Sequence, residues 1–121
     1  MELIASPAFD IINSNNETNL PDSIKGEIEH SNNCLAIQIF NERLFVAWRS
    51  SHTHFASNYT KIFLMSAELT NIENLTADQH FDWMKEDEIQ LGSDAREPYF
   101  VIVNDTLHFY FFQAGNDPIA F

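Results

Sequence analysis

The 121-residue chain is long enough for one domain that buries about two-thirds of its unfolded surface, and at 45 % apolar it is too hydrophobic for a disordered segment. Its net charge of −12, from six basic and eighteen acidic residues, repels phosphate backbones and argues against nucleic acid as a partner. A single cysteine, Cys34, excludes an internal disulfide framework.

No apolar stretch approaches the roughly 18 residues of a membrane helix, so no membrane partner is expected. The opening Met1-Glu-Leu-Ile-Ala lacks the basic and apolar regions of a secretory signal, which makes the expected location cytoplasmic. Asn-x-Ser/Thr sequons at Asn16, Asn58, Asn74 and Asn104 then read as turn chemistry rather than glycosylation.

Residues 1–30 form a loop-rich segment, with a polar loop from Ser14, a turn at Pro21-Asp-Ser and room for a short strand at 24–29. Residues 35–40 and 44–48 are apolar on both alternating faces and are joined at Asn41-Glu42, a hairpin pattern. A third run covers 62–65. A fourth, 83–91, is far more polar and carries Lys85-Glu-Asp-Glu88. Between them, Thr76-Ala-Asp-Gln79 resembles a helix capping box.

After Pro98 the pattern restarts. Shifted by 63 residues, Ile37-Gln-Ile-Phe-Asn-Glu-Arg-Leu44 falls on Phe100-Val-Ile-Val-Asn-Asp-Thr-Leu107, Asn-acid turn included. Fixed-period self-similarity marks a repeat fold. Inner strands apolar on both faces beside a charged outer strand suit propeller blades, which pack on both sides; a sandwich strand with one wet face would alternate. The expected fold is all-β, an incomplete β-propeller of about one and a half four-stranded antiparallel meanders. Residues 31–92 make the first blade and 93–121 the first half of a second.

Strand parity then gathers three polar segments on one rim. These are His30-Ser-Asn-Asn33, Arg49-Ser-Ser-His-Thr-His-Phe-Ala-Ser57 and Gly92-Ser-Asp-Ala-Arg-Glu-Pro98. Two of the three arginines, Arg49 and Arg96, lie there, with donor forks suited to carboxylates or sugar hydroxyls. Equally, each can pair with a local acid such as Asp94 or Glu97 to pin a loop. Asp94 and Glu97 could serve as the acid and base of a glycosidase pair, but about 10 Å apart on an extended segment they are too distant for a retaining pair unless the chain turns. One acting with a carboxylate from elsewhere fits better, and the chain offers no obvious candidate for it. His52, His54 and Asn33 complete the candidate binding set. His52 and His54 would share a direction on an extended strand, but no third ligand accompanies them, so no metal and no cofactor are expected. Phe109-Tyr-Phe-Phe112 resembles a stacking platform and reads more simply as core.

At Trp48-Arg-Ser-Ser-His-Thr-His-Phe-Ala-Ser57 and Asp94-Ala-Arg-Glu-Pro98 the chain resembles sialidase-like propellers and related glycosidase propellers, from about His30 to the end. Arg96-Glu97-Pro98 stands where the latter carry Arg-Asp-Pro at the start of an inner strand. The resemblance implies a sugar-contacting or transition-state-stabilising role for Glu97 and substrate binding by Arg49 and Arg96. A propeller of five or six blades needs roughly 200–300 residues, so the chain is expected to be a fragment or truncated product, inactive alone. The parent would bind or hydrolyse a carbohydrate, or serve as a non-catalytic module for a protein or glycan. Open sheet edges would invite self-association.

Overall fold

The computed structural model describes residues 20–69 and 81–114, and these are all-β, without a helix. No helix among them is therefore long and apolar enough to cross a membrane. Six strands form two sheets. Sheet A is an antiparallel meander in the order β1 (Ser31–Phe40), β2 (Arg43–Ser51), β3 (Lys61–Glu68) and β4 (Met84–Ile89). Sheet B is the hairpin β5 (Asp94–Val103) and β6 (Thr106–Ala114).

The β1–β2 turn places Asn41 and Glu42 at φ +48° and +59°, and the β5–β6 turn places Asn104 and Asp105 at +48° and +54°. Two successive left-handed residues are what a two-residue hairpin needs to follow the right-handed strand twist, and Asn tolerates that region best after Gly. The ladders match as well. Cys34 and Leu35 lie opposite Trp48 in a bulge between Asn33 and Ala36, while Glu97 and Pro98 lie opposite Phe111 in a bulge between Arg96 and Tyr99. Both bulges begin with a positive φ, +53° at Cys34 and +50° at Glu97. The 63-residue periodicity is thus a repeat of turn, register and bulge.

Strand partners share a face. One face of sheet A carries Leu44, Val46 and Trp48 opposite Ala67, Met65 and Phe63. These form the hydrophobic core with Leu20, Ile24, Phe81 and Trp83, which lie over them. The rings of Trp48 and Phe63 have centroids 5.3 Å apart. The segment at 24–29 is not a strand. Ile24 N–H donates to Pro21 O at 2.9 Å, Glu27 N–H donates to Ile24 O at 2.9 Å, and Gly26 takes φ +78°. Pro21 starts a turn, and this winding drops Ile24 fully into the core, where its burial stabilises by about 1.5–3 kcal/mol. The capping-box segment 76–79 lies outside the described residues.

The opposite face of sheet A receives sheet B, with β5 lying over β1 and β2. Phe100 and Phe45 meet at 6.3 Å between centroids. A cleft of about 390 Å³, lined by Phe40, Phe45, Leu64, Phe100, Leu107 and Phe109, lies between the sheets. β2 is consequently buried on both faces over most of its length. Among the described residues β4 pairs with β3 alone, and its half-buried charges are matched: Lys85 pairs with Glu88, and Lys61 of β3 bridges Glu27 and Glu88.

Candidate functional site

Stacking the two sheets brings the start of β5 against the end of β2, so the rim segments meet. Arg49 sits on the β2 face turned toward sheet B and is completely buried. Its guanidinium donates to Thr53 O at 3.2 Å, Phe55 O at 2.9 Å, Thr60 Oγ1 at 3.4 Å and Asp94 Oδ1 at 3.1 Å. Thr60 also donates to Asp94 Oδ1 at 2.8 Å, and Arg96 Nε holds Asp94 Oδ2.

Asp94 is therefore buried with both carboxylate oxygens engaged. Burial alone would raise its pKa; hydrogen bonds from Arg96, Thr60 and Arg49 outweigh that and hold it below the ordinary carboxylate value. An acid kept ionised and saturated in this way clamps the 52–60 loop to both sheets. Arg49 does the same from the other side. Of the two alternatives for these arginines, pairing with a local acid describes Arg49, whose two terminal guanidinium nitrogens are bonded to the protein while its buried Nε meets no partner among the described residues.

Solvent reaches a second layer above this clamp. Glu97 is exposed, and Cys34 donates Sγ–H to Glu97 Oε1 at 3.5 Å, so the two bulge residues related by the repeat face each other. Arg96, whose side chain is about a quarter exposed, spans the layers and donates to His54 O at 3.3 Å. Asn33 Nδ2 lies 3.1 Å from His54 Nδ1 and 3.1 Å from Ser31 Oγ. Asn33, Cys34, His54, Arg96 and Glu97 thus line one stretch of the rim.

His52 and His54 have different surroundings. They lie on a bent loop rather than an extended strand. His52 Nδ1 meets Glu29 Oε2 at 2.9 Å and its ring stands edge-on to Tyr59, whereas His54 turns to Asn33 and Phe55. Among the described residues no group of three or more His, Cys, Asp or Glu side chains could hold a metal.

Asp94, Arg96 and Glu97 sit on β5 itself, not in a preceding loop, and the bulge turns Glu97 outward beside the inward Asp94. Sequence reasoning passed over two residues. Thr60 is an ordinary loop threonine without its fold. Cys34, however, coincides with Glu97 under the same 63-residue shift that aligned the hairpins, and that was a usable signal. Comparison with protein-family models, with curated proteins and with solved structures found no match to this chain.

Proposed function

We propose that this rim binds a carbohydrate without hydrolysing it, and that the two sheets are successive blades of a propeller-like repeat. The observation that carries the binding reading is the pair of non-glycine residues, Cys34 and Glu97, held in left-handed backbone at matching bulges and facing each other. Glycine is the unstrained residue at the first bulge position, and strain of about 1–3 kcal/mol kept on a polar rim is a feature that clusters at working surfaces. The exposed Glu97 carboxylate accepts from adjacent hydroxyls, while the Arg96 guanidinium supplies donors beside it.

Hydrolysis by a pair of carboxyl groups needs a second accessible one that can exchange a proton. Asp94, the nearest acid in sequence, is saturated and held ionised. The blade reading is supported by the repeated turn, register and bulge, and by the face-to-face stacking of the sheets.

The test is a panel of neutral and acidic oligosaccharides titrated against the chain by calorimetry and ligand-observed NMR, with Glu97→Gln and Glu97→Gly. We expect one sugar class to bind without turnover and both substitutions to weaken it about tenfold or more. Glu97→Gly should meanwhile raise stability by relieving the left-handed backbone. Binding unchanged in both variants, or no sugar bound by the wild type, refutes the proposal.

A further inference from the structure

The 63-residue relation extends from the turns and bulges to the faces of the sheets. Leu35, Ile37 and Ile39 on β1 correspond to Pro98, Phe100 and Ile102 on β5. In β5 this row is the one that meets sheet A: Pro98 is buried and Phe100 packs on Phe45. The receiving row on sheet A, with Ala36, Phe45 and Ala47, corresponds in the hairpin to Tyr99, His108 and Tyr110. Among the described residues there is therefore one joint between a projecting row and a receiving row, and one further copy of each row that no such joint uses.

Both unused rows are open. Leu35 and Ile37 are 65 % and 55 % exposed, although their face-mates Val46 and Leu44 are buried in the core. On the outer face of sheet B, Tyr99 and Phe112 are 51 % and 55 % exposed, with Tyr99 stacked on Tyr110 at 5.3 Å. Neither row contains a carboxylate, although the chain carries eighteen acidic residues. A surface that must approach a like-charged copy has to be free of acids.

We infer that these two rows bind each other between copies of this chain. The β1 row of one molecule seats on the outer face of β5–β6 of the next, repeating the part of the internal joint that β5 makes, since Leu44, Val46 and Trp48 beside that row are already covered by the core. The contact is heterologous, so each molecule added leaves one row open at either end. Assembly runs on into a ring or an open chain and does not stop at a two-fold dimer. This inference does not depend on what the rim binds.

Sedimentation of the full chain over a range of concentrations, with Ile37→Lys and Tyr110→Lys, tests it. The wild type should form species beyond the monomer. Each variant alone should associate more than about tenfold more weakly, with an unchanged circular dichroism spectrum because both positions are exposed or half-buried. Mixed together, the variants should form a 1:1 pair and nothing larger, since each retains the row that the other lacks. Leu35→Lys and Val101→Lys form a second pair should either first variant misfold. A wild type that stays monomeric, including one whose Tyr99 and Tyr110 stack on oligosaccharide instead, overturns the inference. So does a closed two-fold dimer, or a variant mixture that fails to pair.

Discussion

Asp94 shows how much one side chain holds together here. It ties Arg49 on β2, Thr60 at the end of the loop and Arg96 on its own strand into one buried cluster. Replacing it by Asn keeps the shape and removes the charge, leaving the guanidinium of Arg49, which has no exposed surface, without its counter-ion. Breaking a buried pair from one side costs about 3–5 kcal/mol, whereas a solvent-exposed pair such as Lys25–Asp22 contributes little. Asp94→Asn should lower the urea midpoint accordingly with little change in slope. The pH dependence has a definite sign. The folded pKa of Asp94 lies below its ordinary 3.8, so the clamp's contribution is complete above that value and is lost as the pH falls through the folded pKa. Urea unfolding of wild type and Asp94→Asn should therefore differ most at neutral pH and converge in acid. A gap of the same size at every pH would mean that the charge of Asp94 is not what the cluster needs.

At the scale of elements, the two hairpins share one device and leave it imperfect. Both turns place an acidic residue second, Glu42 and Asp105, in left-handed backbone where glycine is at ease. Asp105→Gly should stabilise the protein by about 0.5–1 kcal/mol, the strain relieved being partly offset by the greater freedom of glycine in the unfolded chain. A melting temperature that falls instead would show that the Asp105 side chain makes a contact the hairpin depends on. The hairpins were also the most legible part of the sequence. Apolar runs flanking Asn-acid turns fix strand, turn and register together, and the 63-residue match follows from them. The outer strand β4 was legible by its charges. Residues 24–29 misled because Ile24, Ile28 and their neighbours suit a strand until the turn from Pro21 winds the backbone. The candidate site was legible as a gathering of segments and not as a set of roles. Strand parity places Asn33, Arg49 and Asp94 to Glu97 on one rim, but which acid faces inward depends on a bulge that no local composition announces. Cys34, a lone thiol by composition, acquires its partner only when the sheets stack.

For the whole molecule, the charge imbalance decides how salt acts. Screening weakens attractive pairs and repulsive ones alike, so the sign depends on which are more numerous. If each of the six basic residues neutralised one acid, twelve of the eighteen would remain uncompensated. The attractive pairs at the surface, Lys61 with Glu27 and Glu88 or Arg43 with Glu68, are worth about 0–1 kcal/mol each. Arg49–Asp94, buried in the joint, is shielded from added ions. Self-repulsion among unpaired acids should then outweigh the pairs that salt weakens. Raising the ionic strength from about 0.01 to 0.15 M shortens the screening length from roughly 30 to 8 Å. Measured at a protein concentration low enough to keep the chain monomeric, the melting temperature should rise over that range by a few degrees, and Asp94→Asn should rise by the same amount. A fall would mean that the surface pairs act as a cooperative network. A rise confined to the wild type would mean that ions reach the Arg49–Asp94 pair.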